Sequence, residues 1–279
     1  PDLLTVIDLH RYDPDVIVLQ QMANDEQLQL MRRMKSFSHA YKVFEAGEYL
    51  SLTSSSLAQL RRGLIYMDRL VVPSVIMAQT LDGFSADIRV SETRLDPMEW
   101  QGVAAGRRRS DRPRIGWAGC LADVDGLEMI VNVIRDLANE VRWVILGPCP
   151  DALRPFVHEV HDVVDRAAYP AKLASLDLDL ALAPLVDTLS NRCKSHLRLL
   201  EYGACGYPVI CTDLEPYWGE LQVTRIQNTY EAWSETIRAH ANNLEAAAQS
   251  GDDLRNQVRK DWMWTAPSLV TRRDIWLPD

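Results

Sequence analysis

Lys194, Arg198 and Glu201 stand at i, i+4 and i+7, the spacing of one helical face if the helix begins at Lys194. They lie in the stretch Ala181–Asp213, where an apolar run ends at Ala183-Pro184-Leu185 and a polar loop follows. Ser195 then reads as the N-cap of a helix, because its hydroxyl can accept from backbone N–H groups two or three residues on. Gly206 supplies the left-handed stop and Pro208 cannot continue the helix, so the strand Val209–Thr212 comes next. That order puts a helix N-terminus at the carboxyl edge of a parallel sheet, where amide groups and the helix dipole favour an anion. Lys194 adds a mobile positive charge suited to a diphosphate. Glu201 can accept from both hydroxyls of a ribose, as acids do in dinucleotide sites. The plainer reading makes Arg198 and Glu201 a solvated ion pair and Lys194 a surface lysine.

A second, weaker signal follows the first strand of the same half. Ile115-Gly116-Trp117-Ala118-Gly119-Cys120 ends in a glycine that lets backbone approach a ligand closely, and Leu121–Gly126 opens the next helix. Many α/β domains carry such a turn for packing alone.

The elements that must hold these residues alternate strand-like and helical, the pattern of βαβ units and parallel sheets. Before residue 100 the strands are Val16–Leu19, Tyr41–Phe44, Arg69–Val72 and Ile88–Val90, with helices near Glu26–Lys35 and Ser56–Tyr66. Pro97, Gly102, Gly106 and Pro113 punctuate a linker. Beyond it strands are expected at Arg114–Gly119, Val141–Gly147, Val163–Ala168, Leu180–Pro184, Val209–Thr212 and Thr224–Gln227. Leu127, Ile130, Val131, Ile134 and Leu137 give one apolar helical face. Helices Tyr230–Ala248 and Asp252–Lys260 close the half, and a tail with Trp262, Trp264 and Trp276 has no clean period. The expected division is a short α/β domain over 1–100, a second α/β domain over 112–261, and a tail over 262–279 packing back on the first.

Composition bounds the function. The 279 residues suffice for two compact domains, and 47% hydrophobic with 25% charged residues is a globular balance. A net charge of −9 argues against a nucleic-acid partner, which needs a concentrated positive field. The one basic run, Arg107-Arg108-Arg109 with Arg112 and Arg114, reads as a solvated linker or as a contact with an anionic membrane surface. Five cysteines without CxxC or His pairing oppose a zinc site and a disulfide framework. No apolar run reaches transmembrane length, so a cytoplasmic chain is expected, with peripheral contact at the inner membrane face left open.

These residues together resemble bacterial GT-B glycosyltransferases of the group 1 (family 4) kind, nearest to those acting on rhamnan or O-antigen-type polysaccharides. The resemblance is carried by Ile115–Gly119, Asp179–Leu185, Asn191–Ser195, Leu197–Ile210 and Asp213 with Pro216-Tyr217, and it covers roughly 112–230. It implies a GT-B-like α/β fold of two Rossmann-like domains facing a cleft, the N-terminal one short or truncated. It places Gly119 in the glycine loop under the donor phosphates, Lys194 and Ser195 at the diphosphate and Glu201 on the ribose, with Cys120, Asn191, His196 and Leu197 among the substrate-binding residues. Lys194 becomes the catalytic charge that steadies the leaving diphosphate. No cofactor and no metal are expected. The partners are a nucleotide-diphospho-sugar donor, a glycan or lipid-linked acceptor, and a possible partner subunit. Three departures stand out. Cys193 occupies the first carboxylate position of the family's Glu-x7-Glu motif. Asp123 and Asp125 occupy the loop where the family carries Arg and Lys. The first domain falls about three strands short of a full acceptor domain, judged by ordinary α/β unit lengths.

The expected function is transfer of a sugar from such a donor in surface polysaccharide synthesis. A non-catalytic GT-B-like nucleotide-binding or scaffold subunit is the alternative, favoured by Cys193 and the short first domain. An epimerase sharing only the site is the third possibility, while the lack of GxGxxG after the first strand opposes a dehydrogenase-type fold. His10 and His39 read as structural or surface histidines.

Overall fold

The computed structural model describes residues 11–20, 25–47, 50, 52–103, 106 and 111–278. The run Arg107-Arg108-Arg109 and His10 lie outside the described residues.

The chain divides into two compact units. The described residues up to Thr93 join Thr188–Ser195 and the residues from Thr265 onward in the first; Arg94–Asp187 and His196–Trp264 form the second.

In the first unit, strands β1 (Val16–Gln20), β2 (Tyr41–Glu45), β3 (Arg69–Val72) and β4 (Ile88–Val90) make a parallel sheet in that order. β3 is buried along its whole length, which is why Arg-Leu-Val-Val lacks polar alternation. Helices Ser54–Leu64 and Val75–Thr80 start where Thr53 and Ser74 accept from backbone amides three residues on. Phe44, Leu60, Leu70, Val72, Met77 and Leu81 form the core, and Cys193 joins it. Cys193 is fully buried, its carbonyl accepts from Ser74 Oγ at 2.8 Å and its thiol lies 3.4 Å from Thr80 Oγ1. Arg69, also fully buried, pairs with Asp87 at 2.6 Å and donates to the carbonyls of Ile275 and Leu277 at 2.8 and 2.6 Å.

In the second unit, β5 (Arg114–Ala118), β6 (Arg142–Leu146), β7 (Glu159–His161), β8 (Leu180–Ala183), β9 (Val209–Thr212) and β10 (Thr224–Ile226) form one sheet ordered β10-β9-β8-β5-β6-β7. Every pairing in it is parallel. Alternation along the strands feeds two cores. Ile115, Trp117, Trp143, Ile145, Leu180, Leu182 and Ile210 share one with the 124–136 and 230–241 helices, while Ala118, Val144, Leu146, Ala181, Ala183 and Val209 share the other with the 197–205 and 244–261 helices.

Several sequence expectations need correction. The third strand of this sheet is Glu159–His161, not Val163–Ala168. It is an edge strand held by charge rather than apolar content: Glu159 accepts from Arg114 at 2.7 and 3.0 Å and from Arg142 at 3.3 Å. The helical face Leu127–Leu137 belongs to two helices, Val124–Met129 and Val131–Asp136, because Ile130 leaves helical geometry at ψ 17. The last helices divide at Asn242-Asn243, giving Tyr230–Ala241 and Leu244–Asp261, since the Asn243 side chain accepts from Ala246 N and caps the second. Among the described residues no helix is long and apolar enough to cross a membrane.

Candidate functional site

Strand order reverses between β5 and β8: the chain runs outward through β6 and β7 on one side and through β9 and β10 on the other. Open α/β sheets bind ligands outside the carboxyl ends of their strands at such a switch point. Gly119, Cys120 and Asp123 follow β5 there, and the Leu197–Cys205 helix follows β8.

Glycines make the turns possible. A Cβ on Gly119 would stand 2.2 Å from the Trp117 ring, and one on Gly126 2.2 Å from the Pro184 carbonyl oxygen. Gly147, after β6, has φ +115, and a Cβ there would meet the Gly119 carbonyl oxygen at 2.1 Å. Gly119 N in turn donates to Leu146 O at 3.0 Å, so the loops after β5 and β6 are locked together. Tyr202 fastens the switch point itself: its hydroxyl accepts from Ala118 N at 2.8 Å and reaches the Leu182 carbonyl at 3.3 Å.

A buried ionic cluster occupies the crevice. Asp123 Oδ2 accepts from Cys120 N at 3.2 Å and from Arg198 Nη2 at 3.1 Å. Arg198 Nε lies 3.6 Å from Glu201 Oε2, to which the Tyr169 hydroxyl donates at 3.2 Å. Burial pushes the Glu201 carboxyl above its ordinary range, with Arg198 pulling the other way. Burial opposes the charge on Arg198, yet the surrounding tyrosines, Glu201 and Asp123 hold it firmly protonated. Arg198 Nη1 is buried and has no partner among the described residues. A buried guanidinium nitrogen left over in this way is suited to an incoming anion.

The placements of the sequence candidates differ. Gly119, Cys120, His196, Leu197 and Glu201 belong to the second unit; Asn191, Lys194 and Ser195 belong to the first. The helix begins at Leu197 with His196 as N-cap, so Ser195 is not the cap. His196 instead packs edge-on against Trp262, ring centres 4.4 Å apart. Lys194 N bonds Asn191 O at 3.2 Å, continuing the short Leu189–Arg192 helix, and Lys194 therefore does not extend the face that carries Arg198 and Glu201. Arg198 and Glu201 are not a solvated pair, with side chains only 17% and 12% exposed. His39 lines a hollow of about 590 Å³ in the first unit beside Lys35, Lys42 and Asp68.

Asp123 and Tyr169 are the members that sequence reasoning did not assign to the site. Asp123 was visible only as a departure from the family's basic loop, and nothing in the residues around Tyr169 marks its hydroxyl.

No family model and no curated protein sequence matches the chain. Solved structures do. TarM superposes with a TM-score of 0.69 at 12% identity, over 98% of this chain and 57% of TarM. Sucrose-phosphate synthase from Thermosynechococcus elongatus gives 0.71 at 14% identity over 96% and 75%. A trehalose-6-phosphate structure from E. coli bound with UDP-2-fluoro glucose gives 0.65 at 12% over 98% and 76%. The chain thus has the α/β fold of GT-B glycosyltransferases and spans little more than half the length of TarM.

Proposed function

We propose that the chain binds a nucleotide-diphospho-sugar and transfers its sugar to a glycan or lipid-linked acceptor. The observation that carries this reading is the Asp123–Arg198–Glu201 cluster at the switch point of a GT-B sheet, with Arg198 Nη1 buried and unspent. Arg198 and the first turn of the Leu197–Cys205 helix would draw the diphosphate, and Glu201, steadied by Tyr169, would accept from ribose hydroxyls. The resemblance in sequence implies that Lys194 stabilises the charge that grows on a departing diphosphate. A family 4 relationship, a role in surface polysaccharide synthesis and a peripheral position at the inner membrane face belong to the same proposal. The first two are supported by the residue pattern from Ile115 to Tyr217, and the third by the basic run Arg107-Arg108-Arg109 with Arg112 and Arg114.

The test is a thermal-shift screen of UDP-, GDP- and dTDP-sugars, followed by assay of free nucleoside diphosphate from the best binder with acceptor extract present. Release supports the transferase. Tight binding without release from any donor replaces it with the second reading, a nucleotide-binding scaffold, which Cys193 favours: a buried core thiol stands where the family's first motif carboxylate would be.

A further inference from the structure

Trp218 is 58% exposed, yet it is held on a rigid mount within the second unit. Its Nε1 donates to Asp213 Oδ1 at 2.8 Å, and Asp213 Oδ2 accepts from Gln227 Nε2 at 3.0 Å. The loop that carries it is fixed from below: the Arg225 guanidinium donates to the carbonyls of Tyr217, Gly219 and Leu221, and Gly219 turns at φ +115. Pro216, Tyr217 and Leu221 on either side are buried. The mount adjoins the helix that carries Arg198, for the buried Tyr217 shares a core with Leu199, Leu200 and Tyr202.

Isolated exposed apolar side chains are common and need no explanation. This indole differs because its orientation is fixed at the nitrogen and its backbone at three carbonyls. A large flat face is therefore offered to solvent at little further ordering cost on binding. The π face is electron-rich, and the C–H groups on one side of a pyranose ring present it with weak positive charge. The edge of the ring is acidic at Asp213, and Arg225, which follows on the next strand, is spent on backbone carbonyls. Carboxylates beside an aromatic face accept from sugar hydroxyls and repel phosphates.

We propose that Trp218, with Asp213 at its edge, is a stacking subsite for a pyranose ring of a neutral glycan. The binding claim stands on Trp218 itself; that the bound glycan is the acceptor rests on the proposed transfer reaction.

The experiment is titration of the full chain with neutral oligosaccharides of glucose, mannose, galactose and rhamnose, followed by calorimetry and saturation-transfer NMR, for wild type, Trp218→Ala and Trp218→Phe. At least one oligosaccharide should bind, with ring C–H protons receiving saturation. Trp218→Ala should weaken it by about tenfold, the cost of truncating an aromatic anchor, while Trp218→Phe keeps most of the affinity. UDP and GDP titrations on the same preparations should be unaffected by either change. The subsite is overturned if no oligosaccharide binds, if Trp218→Ala binds it as well as wild type, or if Trp218→Ala weakens nucleosides and leaves glycans alone, which would make Trp218 a base-stacking residue. Oligosaccharide binding that depends on Trp218, in a chain that binds no nucleotide sugar, would keep the subsite and retire the donor reading.

Discussion

The Tyr169 hydroxyl donates to Glu201 Oε2 at 3.2 Å, so the carboxylate at the candidate ribose position is oriented by a neighbouring helix. Tyr169 opens the helix that follows β7, and Glu201 lies on the helix that follows β8. The two helices pack into one core, and this bond ties them together. Removing the hydroxyl in Tyr169→Phe should weaken donor binding by about tenfold without abolishing it, read by titration calorimetry with the best-binding nucleotide sugar, because a hydrogen bond to a charged group is worth about 1.5–3 kcal/mol when lost.

Glu201→Gln should weaken the same donor by about tenfold or more while moving the melting temperature little. Burial already works against the Glu201 charge, and Asp123 remains at 3.1 Å to balance Arg198. Unchanged affinity would make Glu201 a structural acid.

Asp123→Asn should be the more damaging change to the fold. It removes the negative charge of the closer partner of Arg198, carried on the same oxygen that shapes the turn at Cys120. A cost of about 3 kcal/mol in urea unfolding is expected, the scale for breaking a buried pair from one side.

Gly147→Ala should destabilise by about 1–3 kcal/mol, since it combines a left-handed φ of +115 with a 2.1 Å approach to the Gly119 carbonyl. The displaced Gly119 loop should also lower donor affinity, which separates this variant from a merely unstable one when both are measured at low temperature.

Acid stability should depend on Glu159. Its hydrogen bonds from Arg114 hold the carboxyl at about 2, down from an ordinary 4.5. A depressed folded-state value stabilises above the unfolded one and is lost as pH falls from about 4.5 toward about 2. Glu159→Gln should therefore flatten that limb, so that the wild-type advantage in urea midpoint at pH 6 shrinks by pH 3.

Lys194→Ala distinguishes enzyme from scaffold. An interaction that strengthens as the glycosidic bond breaks must lower kcat when removed, here by roughly 10²-fold, and not only raise KM. Release of nucleoside diphosphate that ignores the substitution would keep the enzyme and discard this role.

Much of the second sheet was legible because its central strands are buried on both faces: Leu-Ala-Leu-Ala at β8 and Val-Ile-Cys-Thr at β9 read as continuous apolar runs bounded by Pro and Gly. β7 was illegible for the opposite reason. Its residues are Glu-Val-His, and what holds them is Arg114, forty-five positions away. The Arg198–Glu201 pair followed from helical spacing, whereas Asp123 and Tyr169 reach it only through tertiary placement. The helix start was misread because serine is a good cap by propensity, and here the chain enters the helix through His196, against Trp262, instead.

The way Cys193 and the Ile275 and Leu277 carbonyls complete the first unit bears on how the protein is made. The sheet β1–β4 leaves a ribosome early, but the buried guanidinium of Arg69 finds two of its carbonyl acceptors 206 and 208 residues later. The thiol that fills its core arrives 113 residues after Thr80. The second unit, contiguous but for residues 188–195, can close its own two cores without waiting for the tail. The half that is synthesised first is therefore the half that finishes folding last, and until then a guanidinium short of two carbonyl acceptors and open apolar surface make it the segment a chaperone would hold.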